Sequence, residues 1–439
     1  MTGFFRKYLA RYDDHMQELL AGTSIAFALK VFAAGLAFGL NVVLARLLGA
    51  EGSGIFFLAF TIVLIVATVG RVGMENALVK FIAANIAAKQ PGKILGVYQR
   101  AIHYSLFMSI PLSVFLYLLA PWASQVIFTK PELVYPLRIM AMAVVPLAIL
   151  TLHAHALQGL RKIAASISVL SLIIPLLTIA VAILFVPRYG IDAALWGYLL
   201  ANIITLLVGR WFWLRATGKI INHKSDFGRR ELLTVSMPLF GVVMLNMIIM
   251  WSPLLLLGIW ESSENIGIYS AASRTAMLTS FILVAVNSIA APKFAMIYQQ
   301  GDIETLGVVA RNSAKIMLLL ATPVLLLFML LPELVLTIFG EQFKQGAVVL
   351  VILAIGQFIN VATGSVGYLL MMSGNERLLR NNLLFSALLG MLLNLWLIPN
   401  YGIIGAAVGA ALVLSLQNLV SMMIVWKKLK IMTFPWVRL

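Results

Sequence analysis

The chain has 439 residues, 62% of them hydrophobic and 11% charged, with a mean hydropathy of +1.00. Soluble domains carry about 25% charged residues, so this composition excludes a water-covered globule and requires an integral membrane protein. A net charge of +16 then concerns membrane topology rather than nucleic acid, and the lack of cysteine excludes disulfides, thiolate metal sites and cysteine nucleophiles.

In chain order, the first 22 residues (MTGFFRKYLARYDDHMQELLAG) are polar and charged and do not read as a signal peptide. Twelve apolar runs follow, at about 23–48, 55–84, 98–120, 137–159, 164–186, 191–214, 232–259, 268–296, 307–331, 346–372, 380–398 and 403–426. Each is long enough for a helix across a ~30 Å hydrocarbon core, and the ten-residue alternation of an outer-membrane barrel is missing. The fold class expected is an all-α integral membrane protein of twelve transmembrane helices. With a cytoplasmic amino terminus, 22 of the 32 basic residues fall in inner segments, against Lys130, Arg138, Arg188 and Lys344 outside. Loop Lys and Arg set orientation, so both termini are expected in the cytoplasm, with most inner cations anchoring the chain against lipid headgroups.

The chain also reads as a duplication. LARLLGAEGSGIF (residues 44–56) is echoed by LLLGIWESSENIGIY (residues 255–269). Lys80-Phe81 and Lys293-Phe294 stand 213 positions apart, Pro111 and Pro323 212 apart, and VPRYGIDAALWG (186–197) faces IPNYGIIGAAVG (398–409) at a constant 212. An offset of six spans, an even number, makes the copies parallel repeats related by an axis along the membrane normal, an architecture of secondary transporters. The expected organisation is a lobe over 1–216, a charged cytoplasmic linker over 217–230, and a second lobe over 231–439. Gly35-x-x-x-Gly39 and Gly405-x-x-x-Gly409 are candidate close-packing faces.

With ARLLGAEGSGIFFLAFTIV, ALVKFIAANIA, HALQGLRK and VPRYGIDAALWGYLLANI in place, the sequence resembles the Wzx-type polysaccharide and O-antigen flippases of the multidrug/oligosaccharidyl-lipid/polysaccharide (MOP) exporter superfamily. The resemblance covers nearly the whole chain and is strongest over 40–200. It implies two six-helix lobes around a V-shaped cavity in the cytoplasmic (inner) membrane. It also implies transfer of undecaprenyl-diphosphate-linked oligosaccharide to the outer leaflet for O-antigen, capsule or exopolysaccharide synthesis. Polysaccharide polymerase and glycosyltransferase partners are implied by the family alone. The related peptidoglycan-precursor flippases usually carry two further helices, and an ending after span twelve argues against that branch.

The remaining six basic residues lie in or near spans. Arg46 stands near the outer end of span one, Lys80 and Lys315 are placed to snorkel, and Lys30, Arg71 and Arg274 are harder to excuse, Arg71 being the deepest. A charge at the bilayer centre costs at least ~2.5 kcal/mol, so such residues face protein or water. Lys30, Arg46, Arg71 and Arg274 are therefore the candidate cationic cavity. Glu75 is the one acid well inside a span. It is a candidate for ion coupling, or simply an i,i+4 partner of Arg71. The excess of cations suits a diphosphate, whereas a multidrug or metabolite exporter of the same superfamily, the alternative reading, needs acids. Asn41, Trp251, Tyr269 and Tyr368 are candidates for contact with sugars. No nucleotide-binding, zinc-protease or serine-hydrolase motif is present, so no cofactor, metal or catalytic residue is assigned, and His153 and His155, two apart, cannot share a helix face. A membrane enzyme acting on polyprenyl-phosphate sugars would need a long acidic loop, and no loop exceeds about 16 residues by this count of spans.

Overall fold

The computed structural model describes residues 14–218 and 227–434. Most of the linker expected at 217–230 lies outside the described residues. The described residues are almost wholly helical, without strands, and contain nine helical runs long and apolar enough to cross a membrane. Three of these runs, of 44, 55 and 54 residues, are interrupted by a glycine with non-helical backbone: Gly49, Gly190 and Gly402. Divided at these glycines, and with shorter breaks bridged, the main helical stretches among the described residues are α1 (14–48), α2 (50–87), α3 (91–122), α4 (134–159), α5 (163–189), α6 (191–217), α7 (229–260), α8 (263–299), α9 (303–330), α10 (347–372), α11 (376–401) and α12 (403–429). The ends are labelled outer and inner after the charge asymmetry.

The duplication is visible in the backbone. Gly190 turns at φ 57, ψ −143 and Gly402 at φ 55, ψ −135, each three residues after a proline, Pro187 or Pro399. Proline stops the helix by removing a donor, and only glycine takes this left-handed turn without a Cβ penalty. One pattern of small and rigid residues thus makes the same hairpin twice.

The two halves meet at the outer end through the duplicated fragment itself. A Cβ added to Gly54 of α2 would lie 1.8 Å from the Ser263 carbonyl oxygen of α8, and one added to Gly267 of α8 would lie 2.0 Å from the Ala50 carbonyl oxygen. Ser263 and Gly267 stand 213 positions after Ala50 and Gly54, so the seam is a pseudo-two-fold contact in which glycine lets two backbones touch. Loops clasp over it reciprocally. Lys130 Nζ donates to the Gly258 carbonyl (2.7 Å), and from the other side Ala50 N–H donates to Gln342 Oε1 (3.0 Å) while Arg46 Nε donates to the Ile338 carbonyl (2.6 Å). Burial lowers the Lys130 ammonium pKa below its ordinary value, opposed by the charges of Glu132 and Glu261.

The main apolar core runs through both halves, joining Leu44, Phe57 and Leu58 to Leu257, Ile268 and Phe339. Toward the inner end it gives way to two separate cores. One gathers α2, α3 and α4 with Trp213, Phe227 and Leu232, and the other gathers α8, α9, α10 and α12 around Phe294 and Leu370. The halves share one continuous core at the outer end, whereas at the inner end they meet along α7, where Leu232 joins the core of α2, α3 and α4 and Gly73 of α2 lies against Ser236 and Phe240. Of the two candidate glycine faces, Gly405 and Gly409 do pack closely, against the Leu397 carbonyl and Asn394. Gly35 and Gly39 have nothing within 4 Å of a built Cβ. They face open space and are not a packing face.

Candidate functional site

The first part of α8, SENIGIYSAASRTA, opens the run Ser263–Asn287, the least apolar of the membrane-length runs among the described residues, and it is helical because of its ends. The Ser262 side chain caps it by accepting the Asn265 N–H (3.2 Å), and the helix breaks after Ala276. This cap starts the helix at Ser263 rather than at the apolar onset near 268. Arg274 is then eleven residues in, roughly 16 Å along the axis at 1.5 Å per residue, which is about half of a ~30 Å core. Arg71, by the same count from Ala50, is roughly 31 Å in and lies toward the inner end. Counted from these helix starts, Arg274 stands nearer the middle of such a core than Arg71 does.

Arg274 lines a cavity of about 140 Å³ between the halves, together with Asn41 of α1, Trp251 of α7, and Tyr269, Ser270 and Ser273 of α8. Its guanidinium carbon stands 4.2 Å from the ring centre of Phe57 and 5.5 Å from that of Phe60, both on α2 of the other half. Among the described residues no carboxylate lies within ion-pair distance of it. A desolvated cation–π contact contributes about 2 kcal/mol, which offsets most of the ~2.5–3.5 kcal/mol insertion cost of an arginine. The two rings hold the cation by charge–quadrupole attraction and use none of its N–H donors in a conventional hydrogen bond. Nη2 accordingly makes no hydrogen bond within the described chain, nor does Ser270 Oγ. A buried cation in a cavity wall, without an acidic partner and with one buried nitrogen lacking a hydrogen bond, is suited to an anion.

The other candidates divide. Lys30 is exposed and shares a helical stripe with Ala34, Ala37 and Asn41, the α1 residues of the cavity wall, so it stands inward of the cavity on the same face. Arg46 is a correction: it is held by the Ile338 carbonyl in the outer clasp, not in the cavity. Arg71 is buried with Glu75. Its Nε is 3.6 Å from Glu75 Oε1 and its Nη2 donates to Thr68 Oγ1 (2.8 Å), while Glu75 Oε2 makes no hydrogen bond. This pair straddles the α2 break at Val72 and Gly73, roughly eleven residues inward of Phe60, and does not join Arg274. Asn41, Trp251 and Tyr269 do reach the cavity, whereas Tyr368 is exposed elsewhere. His153 is occupied by the Ile149 carbonyl (2.9 Å) and Tyr98 OH (3.3 Å), and no cluster of metal ligands occurs among the described residues.

Sequence reasoning missed Ser270, Ser273, Phe57 and Phe60. The signal was available, because at an offset of 213 Phe57, Phe60 and Thr61 align with Ser270, Ser273 and Arg274. A second hollow, of about 540 Å³ at the outer end, is lined by Glu51, Glu132, Glu261 and Glu264 around Lys130. Its carboxylates would repel an anion, so the central cavity is the better candidate.

Residues 19–298 match the family described as Polysaccharide biosynthesis protein, which is more than half of the chain. The chain is 26% identical over 399 residues to a probable low-salt glycan biosynthesis flippase, Agl15, of Haloferax volcanii, covering 90% of this chain and 80% of the relative. It is 27% identical over 331 residues to the succinoglycan biosynthesis transport protein ExoT of Rhizobium meliloti, covering 74% of this chain and 63% of the relative. Among solved structures, the lipid II flippase MurJ in an inward closed conformation superposes with a TM-score of 0.76 at 16% identity, covering 92% of this chain and 87% of that one. An inward-facing multidrug resistance MATE family transporter of the MOP superfamily superposes at 0.72, also at 16% identity, covering 90% and 94%. The fold is that of the MOP transporters, and the chain, a multi-pass membrane protein, belongs to the polysaccharide biosynthesis protein family of flippases and transporters.

Proposed function

We propose that this protein moves a polyprenyl-diphosphate-linked oligosaccharide, with undecaprenol as the lipid, from the inner to the outer leaflet of the cytoplasmic membrane. The observation that carries the reading is Arg274, a buried cation in the wall of a cavity between the halves, with no acidic partner among the described residues and a buried Nη2 that makes no hydrogen bond. Lys30, on the α1 stripe that leads inward from the cavity, attracts the diphosphate on its way in. Arg274 then takes it with the bidentate edge of its guanidinium. The cavity of about 140 Å³ takes the diphosphate, while the polyprenyl tail stays in lipid.

Alternating access follows from the packing. The outer seam is shut by backbone contact, which supports reading this as a state closed to the outside. Rocking the halves would open the seam beside the acidic outer hollow, which favours release of an anion. An inside-negative potential assists outward movement by about 2.3 kcal/mol per charge per 100 mV. Glu75, with one oxygen free of hydrogen bonds, is the residue we assign to any coupled proton or cation. A polymerase and glycosyltransferases would act on either side of this step.

The test is mass spectrometry of polyprenyl-linked lipids in cells with and without the gene, paired with staining of surface glycan. The account expects a diphosphate-linked oligosaccharide to accumulate while surface glycan is lost. Unchanged pools in a strain free of redundant flippases would move the protein to small-molecule export.

A further inference from the structure

We infer that Phe57 and Phe60 are positioning residues for Arg274, so that the anion site is complete only while the outer seam is shut. The inference rests on the anion-binding role proposed above for Arg274.

The site is assembled from both halves. Asn41 and the two phenylalanines come from the first, and Trp251, Ser270, Ser273 and Arg274 from the second. The platform is a fixed part of its own half: Phe57 packs edge-on against Phe56 (5.8 Å), and Phe60 edge-on against Tyr198 of α6 (5.5 Å). Arg274 is carried by α8, three residues before that helix breaks at Met277. One ring-to-cation contact therefore bridges the surfaces that must part when the protein opens outward.

A guanidinium uses its two surfaces differently. Its face stacks on aromatic rings, and its edge presents N–H donors in a fixed plane. With its cation held against Phe57 (4.2 Å) and Phe60 (5.5 Å), the Arg274 side chain has fewer rotamers open to it, and an incoming anion need not immobilise a long flexible side chain. The Gly54–Ser263 contact lies on α2 one turn outward of Phe57, so separating α2 from α8 at the seam also withdraws the platform. Arg274 then regains rotamer freedom and water, and holds an anion less tightly. The chain binds its cargo well when closed to the outside and poorly when open to it, as outward release requires. By linkage, an anion that prefers the complete site must itself favour the shut seam.

The experiment uses the full chain in lipid nanodiscs with farnesyl diphosphate as probe. Affinity is read by calorimetry, and the seam by electron–electron distance between spin labels at E51C and E264C, two exposed positions 213 apart in a chain without other cysteines. In the otherwise native protein, the probe is expected to increase the short-distance population. F57L is expected to weaken binding about tenfold and abolish that increase, F60L to do so about threefold, and F57W to retain both. Folding is checked by monodispersity, and F60L and F57W carry the test if F57L does not insert. The inference is overturned if the leucine variants bind and shut the seam like the native chain while R274A has lost binding. If R274A itself binds normally, the anion-binding reading fails instead.

Discussion

Residues 50–71 and 263–284 are two copies of one segment, and they have taken opposite parts. In the first half the copy reads AEGSGIFFLAFTIVLIVATVGR, in the second SENIGIYSAASRTAMLTSFILV. Both keep the Gly-Ile-aromatic start, because both need a glycine where the backbones touch at the seam. Beyond it they diverge, with Phe57, Phe60 and Thr61 in one where Ser270, Ser273 and Arg274 stand in the other. The first copy stays apolar and supplies rings. The second gives up hydropathy, 1.3 against 2.4 for the run containing the first, and supplies hydroxyls and a charge. The fold needs symmetry at the seam, whereas a binding site for an asymmetric ligand does not.

Removing the charge is the largest way to break this comparison. Arg274→Ala should lower export ten- to a hundredfold, as the loss of a charge-assisted contact worth about 1.5–3 kcal/mol implies, with Arg274→Lys retaining part of it. Transport assays normalised to inserted protein would show this. Equal activity of Arg274→Ala and the native chain would return the second copy to a packing role.

The Arg71–Glu75 pair sharpens the contrast, since it is the buried cation that does have a partner. Glu75→Gln should destabilise the protein by about 3 kcal/mol by stranding Arg71, and the double change Arg71→Met, Glu75→Leu should recover most of that. Thermal unfolding in detergent measures the stability. Normal export by the stable double variant would remove Glu75 from ion coupling.

Two smaller effects follow. Lys30→Ala should slow loading a few-fold, more at low salt than at high, because an exposed charge acts by steering. A rate independent of ionic strength would contradict that role. Gly39→Ala should be neutral within about 0.5 kcal/mol, because a Cβ there meets nothing, whereas Gly405→Ala should be plainly destabilising, its Cβ falling 2.2 Å from the Leu397 carbonyl. Paired melting curves separate the two.

Much of the fold was legible in the sequence because duplication leaves punctuation. Pro187 and Gly190, and Pro399 and Gly402, mark the same hairpin 212 residues apart, and proline and glycine are read from identity alone. The site was legible only in part. Arg274 stood out because a cation in an apolar run always does, but its depth was misjudged, since the helix begins with the polar Ser263-Glu264-Asn265 that hydropathy assigns to a loop. Arg46 looked like a cavity residue because its partner is a backbone carbonyl 292 positions away, which leaves no trace in residue type. Phe57 and Phe60 were unremarked for the opposite reason: phenylalanine in a membrane helix needs no explanation until a guanidinium is seen against it.

The most direct test of the account is the inner-membrane pool of polyprenyl-diphosphate-linked oligosaccharide in deletion cells carrying Arg274→Ala, compared by mass spectrometry with cells carrying the native chain at equal insertion. The account predicts that the pool stays as high as in the deletion and that surface glycan is absent. A pool restored to the native level would show that the lipid crosses without Arg274, and would contradict the central claim.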